Sequence, residues 1–236
     1  MKKPKLPSLT LPGAVVIAGL CIALAVIVTA QVPNAPITAE PTNEPPIADV
    51  SQLKAVAPVT ASDHVRGNPN AKITMIEYSD LDCPFCDRFQ GTLEQALAEY
   101  PDDVRWVYRH FPLSFHPGAY PEAVALECIN KLSNGQQFWN ALPALLQIPS
   151  SNSETLDKQP IIDVAKKLGV DEVQFKSCMD SNEFNSIIDA DLANGTATGG
   201  NGTPWTIIIG PDGQYQSVNG AQPYTVVKSI IDDMLK

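Results

Sequence analysis

The sequence predicts an α/β domain in which a block of helices interrupts a set of short strands. Three observations support this class. Short β-branched runs occur near the two ends of the folded part, and a long stretch with helical spacing lies between them. In addition, 44% of the residues are hydrophobic, which is ordinary for a globular protein with a sizeable core. The predicted order is strand, helix, strand, helical block, strand, strand, helix.

The N-terminal segment is predicted to be a membrane anchor or a signal. A basic segment, residues 1–10, precedes an uncharged apolar run of 18 residues at 11–28, about the minimum that crosses roughly 30 Å of hydrocarbon. Signal cores are usually shorter, about 7–15 residues, so residues 11–30 are assigned as an anchor, although the small residues at 28–30 leave cleavage open. Positive charge before the run predicts a cytoplasmic N-terminus and an exported remainder.

Residues 31–62 are polar and rich in proline, with no sustained helical or strand period. Such a segment favours extended conformations and is predicted to be a semi-rigid linker. The folded domain is predicted to occupy residues 63–236. The chain carries a formal net charge of -10. A negative protein surface repels the phosphate backbone, so nucleic acid is not an expected partner.

The first half of the domain begins with residues 73–78, an apolar and β-branched run typical of a buried strand. A helix is predicted to begin at Cys83, because Pro84 suits the first helical position, where the backbone N–H has no intrahelical partner. Pro101 ends this helix, and residues 104–108 are predicted to form the next strand.

A helical block is predicted over residues 118–188, where Val124, Cys128 and Leu132 recur every four residues. The β-prone run at 205–209 then predicts a strand. The turn residues that follow it predict a partner strand and a last helix. These two elements are expected at residues 215–218 and 224–235.

The motif with the most chemical content is Cys83-Pro84-Phe85-Cys86. Two cysteines three positions apart in the first turn of a helix bring their sulfurs within bonding reach. The first sulfur meets unpaired backbone N–H groups and the positive end of the helix dipole, which favour its anion. Cys83 is therefore the predicted nucleophile, and Cys86, one turn deeper, is the predicted resolving thiol.

Metal binding by this motif is the first alternative. A zinc site would need a second pair of ligands, and His64, His110 and His116 are the only histidines and form no paired motif. No metal site and no resident cofactor are therefore expected. A copper-handling module that uses the thiolate pair, and a chaperone-like protein with incidental cysteines, stay as rivals from other classes.

The quoted motifs together resemble the DsbA-like thiol–disulfide oxidoreductases. The resemblance is carried by residues 63–86, which include Glu77 and the Cys-Pro-Phe-Cys motif, and by the later blocks at 109–117 and 202–204. It implies a thioredoxin fold with a helical domain inserted between its two halves. That implied architecture agrees with the helical block at 118–188.

The resemblance also implies roles for further residues. Pro204 would be cis and face the cysteine pair, and the backbone of Thr203 would pair with an extended substrate. Glu77 would be a buried acid beneath the site that exchanges protons with Cys86. The alternative for Glu77 is a surface charge on an edge strand.

One position departs from the family's strongest oxidants, which carry histidine where this chain has Phe85. The thiolate of Cys83 loses that cationic neighbour, and Asp80, Asp82 and Asp87 add negative charge nearby. The sequence therefore predicts a Cys83 pKa above the roughly 3.5 of the strongest oxidant and a potential more reducing than its about −120 mV.

Cys128 and Cys178 are predicted to form a structural disulfide, as in some relatives of the family. Closing that loop would stabilise the domain by roughly 4 kcal/mol in the chain-entropy model. The alternative is a pair of buried free thiols.

The predicted function is to introduce disulfides into unfolded or reduced exported proteins through the Cys83–Cys86 redox disulfide. The reoxidant would be a membrane quinone reductase of the DsbB-like or vitamin-K-epoxide-reductase-like kind. The chain would then be a single-pass cell-membrane protein with an extracytoplasmic catalytic domain. A reductase or isomerase that uses the same cysteines is the nearest alternative.

Overall fold

The computed structural model describes residues 50–149 and 157–236. The strands of one sheet come from the two ends of the described chain. Most of the helices lie between those two ends in the sequence. The elements of the first half are α1 (Val50–Leu53), β1 (His64–Gly67), β2 (Ile73–Ser79), α2 (Pro84–Glu99) and β3 (Val104–His110). The remaining elements are α3 (Ala119–Leu132), α4 (Phe138–Leu146), α5 (Gln159–Lys167), α6 (Glu172–Met179), α7 (Asn185–Ala197), β4 (Trp205–Ile209), β5 (Tyr215–Asn219) and α8 (Tyr224–Met234).

The five strands form one sheet in the order β1-β3-β2-β4-β5. The central pair, β2 and β3, is parallel, and the other three pairs are antiparallel. Every residue of β2 is buried, as expected for a strand that has neighbours on both sides and helices on both faces. The prediction of an α/β domain with an inserted helical block is confirmed.

Alternate side chains of β2 point to two different cores, as the two-residue period of a strand requires. Ile73 and Met75 join the larger core, which includes α2, α8 and the helical block. Ile76 and Tyr78 join a smaller core on the opposite face, together with Trp205 and other apolar side chains. The two cores fix β2, and with it the loop that carries the cysteines.

The smaller core also takes in residues that precede the predicted domain boundary. Leu53 is buried there, with Val56 and Val59 packed against it. Asn194 on α7 holds this segment, because its Oδ1 accepts the backbone N–H of Ala57 at 3.0 Å and its Nδ2 donates to the Ala55 carbonyl at 2.9 Å. The packed unit therefore begins earlier than residue 63, and the apolar residues among the prolines explain why.

Two further elements differ from the sequence prediction. The four residues of β1 pair antiparallel with β3, although they are too few to give a strand pattern. Helix α7 continues to Ala197, beyond the predicted end of the block at 188. Its second half, rich in Gly, Asn and Thr, lacks the apolar period by which a helix is recognised.

Within residues 50–149 and 157–236, no helix combines the length and the apolar character needed to cross a membrane. The basic segment at 1–10, the anchor at 11–30 and the linker up to residue 49 lie outside the described residues.

Candidate redox site

Cys83 is the residue that caps the N-terminus of α2, with extended backbone angles, and Pro84 follows in the first turn. The Cys83 carbonyl accepts the backbone N–H groups of Cys86 at 3.0 Å and Asp87 at 3.3 Å, which begins the helix. Both cysteines are free thiols. Cys83 keeps a little accessible surface and Cys86 keeps none, so only the first sulfur can be reached from outside.

The surroundings of Cys83 stabilise its thiolate and lower its pKa to about 5. The largest contribution is a hydrogen bond from the Cys86 thiol, and partial burial opposes it. The side chain of Thr203 and the backbone N–H groups of Cys86 and Phe85 also lower the Cys83 pKa. The Cys83 pKa of about 5 is higher than the roughly 3.5 of the strongest oxidant in the family. The sequence predicts a difference in this direction, because Phe85 stands where that oxidant has histidine.

The second thiol has the opposite character. Complete burial, followed by the interaction with Cys83, raises the pKa of Cys86 well above its ordinary value. The backbone N–H of Asp80 donates to the Cys86 Sγ at 3.4 Å, so the sulfur is held in place by the loop after β2. The pair therefore consists of a thiolate at Cys83 and a buried thiol at Cys86.

Thr203 and Pro204 lie opposite the cysteine pair, and the peptide bond between them is cis. The Cys83 Sγ lies 3.6 Å from the Thr203 carbonyl oxygen. The Pro204 carbonyl accepts the N–H of Gly220 at 2.9 Å, and β4 begins directly afterwards. The sheet therefore holds this loop against the start of α2.

Glu77 lies on central strand β2 and is completely buried. Its Oε2 accepts the indole N–H of Trp106 at 3.1 Å, and its Oε1 has no hydrogen-bond partner. Burial raises the pKa of Glu77 to about 8, and the neighbouring side chains of Ser79 and Trp106 act in the opposite sense. The negative charge of ionised Glu77 also helps to raise the pKa of Cys86. The alternative interpretation, in which Glu77 is a surface charge on an edge strand, is therefore wrong.

Cys128 and Cys178 form a disulfide with an S–S distance of 2.04 Å. The bond joins α3 to α6 within the helical block. Both residues belong to the larger hydrophobic core. The bond therefore ties the inserted helices to one another, apart from the Cys83–Cys86 pair.

The loop that precedes Cys83 contains a carboxylate whose role the sequence did not reveal. Asp80 Oδ2 accepts the backbone N–H of Leu113 at 2.9 Å and lies 2.8 Å from His116 Nδ1, while Oδ1 accepts the N–H of Asp82 at 2.8 Å. Asp80 thus joins the active-site loop to the segment before α3. Sequence spacing gives no signal for it, because the two segments are far apart in the chain.

The other two histidines contact a different acid. His64 Nε2 lies 2.7 Å, and His110 Nε2 2.9 Å, from the same oxygen of Glu127, which is buried on α3. These hydrogen bonds lower the pKa of Glu127 to about 2 although its burial opposes them. No cluster of three or more metal-ligating side chains suited to a metal ion occurs in residues 50–149 or 157–236.

Two aromatic side chains are exposed near the site. Phe85, inside the motif, is 53% exposed and lies under the guanidinium of Arg88 at 4.8 Å. Phe115, next to His116, is 72% exposed. Trp205, by contrast, is buried in the smaller core, and its indole N–H donates to Thr198 Oγ1 at 3.0 Å.

The fold and the paired thiols define a protein thiol–disulfide oxidoreductase. A family model described as thioredoxin matches residues 60–233, which is most of the chain. The chain therefore belongs to the thioredoxin family, and the resemblance to DsbA-like proteins is confirmed by the solved structures that share its fold.

Three solved structures illustrate the likeness. DsbA2 of Pseudomonas aeruginosa is 27% identical and superposes with a TM-score of 0.63, covering 74% of this chain and 96% of that one. The alpha-DsbA1 protein of Wolbachia pipientis has 20% identity, a TM-score of 0.66 and coverages of 78% and 95%. Oxidised BdbD of Bacillus subtilis is 20% identical and superposes with a TM-score of 0.64, covering 76% of this chain and 96% of that one. The last two likenesses concern the fold alone.

Curated relatives by sequence are Na(+)/H(+) antiporters named NhaA. The protein from Herminiimonas arsenicoxydans is 30% identical over 148 residues, which is 63% of this chain and 22% of that protein. NhaA 1 from Mycolicibacterium gilvum is 46% identical over 77 residues, 32% of this chain and 12% of that protein. The chain thus matches about a fifth or less of their length, and the transport in their names is not assigned to it.

Proposed function

We propose that this chain introduces disulfides into reduced exported proteins through Cys83 and Cys86. The observation that carries the proposal is the asymmetry of the pair. Cys83 has a pKa of about 5, whereas burial raises that of Cys86 well above its ordinary value. A sulfur that is stable as an anion is a good leaving group, so the disulfide form oxidises other thiols.

The reaction takes two exchange steps. A client thiolate attacks the Cys83 sulfur, the Cys83–Cys86 bond breaks, and Cys86 leaves as a thiolate that takes up a proton. The second client thiolate then attacks the client sulfur of the mixed disulfide, and Cys83 leaves as a stable thiolate. The client loses two electrons and gains a disulfide, and the enzyme gains the same two electrons.

Glu77 is proposed to supply the proton for Cys86. Because its pKa is about 8, this carboxylic acid holds a proton at neutral pH and can pass it to a basic thiolate nearby. Its unpartnered Oε1 is free to carry that proton. The thiolate of Cys86 would otherwise be buried without compensation, which is costly.

Thr203 and Pro204 are proposed to position the client. The Thr203 carbonyl lies 3.6 Å from the Cys83 sulfur, so an extended client segment that pairs with this backbone brings its own sulfur to Cys83. Backbone pairing of this kind is independent of side-chain identity. Exposed Phe85 and Phe115 would add apolar contact suited to unfolded clients.

An extracytoplasmic site and a membrane anchor at residues 11–30 belong to the same proposal. The disulfide between Cys128 and Cys178 supports an oxidising compartment, since such bonds are rare in the cytosol. Reduced enzyme needs an acceptor for two electrons. A membrane quinone reductase, DsbB-like or vitamin-K-epoxide-reductase-like, would supply that acceptor at the surface to which the anchor tethers the domain.

The test is oxidative refolding of a reduced, disulfide-containing model protein by the purified domain. Cys83→Ser and Cys86→Ser should each abolish catalytic disulfide formation. The matched control is the double variant Cys128→Ser/Cys178→Ser, which loses two cysteines and should retain activity. Undiminished activity in either single variant would overturn the proposal.

The direction of the reaction is tested by the redox state of the pair in cells, trapped by alkylation. If the Cys83–Cys86 pair is a disulfide in most molecules at steady state, the result supports the oxidase. A pair that is mostly reduced, together with isomerisation of scrambled clients, would instead indicate a reductase or isomerase.

A further inference from the structure

Glu122 is a buried carboxyl group that the exchange reaction described above does not use. It lies in the first turn of α3 and is 2% exposed. Its Oε2 has no hydrogen-bond partner. A carboxylate in such a position would be left without compensation for its lost hydration, so the site favours the neutral acid.

A second carboxyl group from the active-site loop meets Glu122 at Gly118. The Gly118 N–H donates to Asp82 Oδ2 at 2.9 Å. A Cβ atom on Gly118 would lie 2.9 Å from both Asp82 Oδ2 and Glu122 Oε1. Only glycine leaves room for the two carboxyl groups to converge on the backbone at this point.

This junction is connected to both cysteines. Asp82 is bonded directly to Cys83 in the chain, and its own N–H donates to Asp80 Oδ1 at 2.8 Å. The backbone N–H of Asp80 in turn donates to Cys86 Sγ at 3.4 Å. Through Asp82, Glu122 therefore adjoins the loop that holds the redox pair.

The charges around Glu122 favour its protonated form. Burial, and then the charges of Asp82 and Asp80, raise the pKa of Glu122 to about 8. The dipole at the start of α3 acts in the opposite sense. His116 on the preceding loop is hydrogen-bonded to Asp80 through Nδ1 at 2.8 Å.

Several charged groups on the other helices packed against α3 are held in contacts of their own. On α7, Asp189 accepts from the hydroxyl of Tyr120 and Asp191 from the backbone N–H of His110. On α5 and α6, Glu172 pairs with two lysines, Lys166 and Lys176. Asp82 and Asp80 are thus the neighbours whose fields act on Glu122.

We propose that Glu122 is a positioning residue for thiol–disulfide exchange: it seats the active-site loop on α3 where it meets Asp82 at Gly118, and its charge is coupled to the charge at Cys83. The inference rests on the exchange at Cys83 and Cys86 described above. Reduction of the disulfide at neutral pH brings two electrons and one proton, leaving Cys83 as thiolate and Cys86 as thiol. The added negative charge makes ionisation of Glu122 harder. By linkage, protonated Glu122 makes reduction easier.

The test is a titration of the side-chain carboxyl carbon of Glu122 by NMR, in the oxidised and in the reduced protein, with Glu122→Gln to assign the signal. The midpoint should be higher in the reduced protein. The equilibrium potential against glutathione should also depend less on pH in the Glu122→Gln variant, over the interval between the two midpoints.

Glu77→Gln is the matched control, because Glu77 has a pKa in the same range on the other side of the pair. That variant should keep the redox-dependent midpoint of Glu122. Equal midpoints in the two redox states of the wild type would overturn the inference, and Glu122→Gln serves there only to assign the signal. The titration is independent of client oxidation, so failure of the proposed oxidase function would leave its result readable.

Discussion

At the scale of single residues, the charge on Cys83 decides the chemistry. Its thiolate is stabilised by the thiol of Cys86 and by backbone N–H groups at the start of α2. No cationic side chain is among the main causes of the low pKa, and Phe85 occupies the position where a cation would act most directly. The helix start and the paired thiol therefore account for the thiolate character of Cys83.

Replacing Phe85 by histidine should strengthen this effect. A cationic ring beside the sulfur would lower the Cys83 pKa further and make the potential less negative, by about 30 mV for each tenfold change in the equilibrium constant. The measurement is the equilibrium potential against glutathione. Phe85→Leu removes the ring without adding charge and should stay near the wild type. An unchanged or more negative potential in Phe85→His would contradict this view.

At the scale of elements, the strands and helices that carry the site were predicted from sequence. Residues 73–78 and 104–108 fall within β2 and β3, and the helix predicted from Cys83 is α2, because apolar period and proline position act locally. Asp80 and Glu122 were not found as parts of the site. Their partners, at Leu113 and Gly118, are fixed only when the insertion folds back onto the loop.

The segment around α1 is the clearest case in which packing overrides composition. Its prolines indicate a linker, but Leu53 is 1% exposed in the smaller core. Leu53→Ala should therefore lower the free energy of unfolding by about 2–5 kcal/mol, measured by denaturant titration.

Val50→Ala is the control for that substitution, since Val50 lies in the same helix and is 51% exposed. It should change stability little. Equal, small effects of the two substitutions would show that the segment before residue 63 contributes nothing to the fold.

At the scale of the whole molecule, two buried acids make stability depend on pH. Glu77 and Glu122 have ordinary pKa values of 4.5 that are raised to about 8 in the folded protein. Between these values the folded state binds more protons than the unfolded state, so stability falls as pH rises. Each unit of difference corresponds to about 1.4 kcal/mol.

The free energy of unfolding of the oxidised protein should therefore decrease as the pH rises above about 4.5, the ordinary pKa of the two acids. The oxidised form is required because reduced Cys83, with its lowered pKa, contributes in the opposite sense. In the double variant Glu77→Gln/Glu122→Gln the decrease should be much smaller. A pH dependence equal to that of the wild type would show that neither acid is protonated in the folded state.

All of the proposed chemistry depends on Cys83 being held as a thiolate at the start of α2 while Cys86 stays a buried thiol. The most direct test is the pH dependence of the alkylation rate of reduced protein, with the modified cysteine identified by mass spectrometry. Alkylation confined to Cys83, with a midpoint near pH 5, is the expected result. A midpoint near the ordinary value of 9, or equal labelling of the two cysteines, would contradict the account.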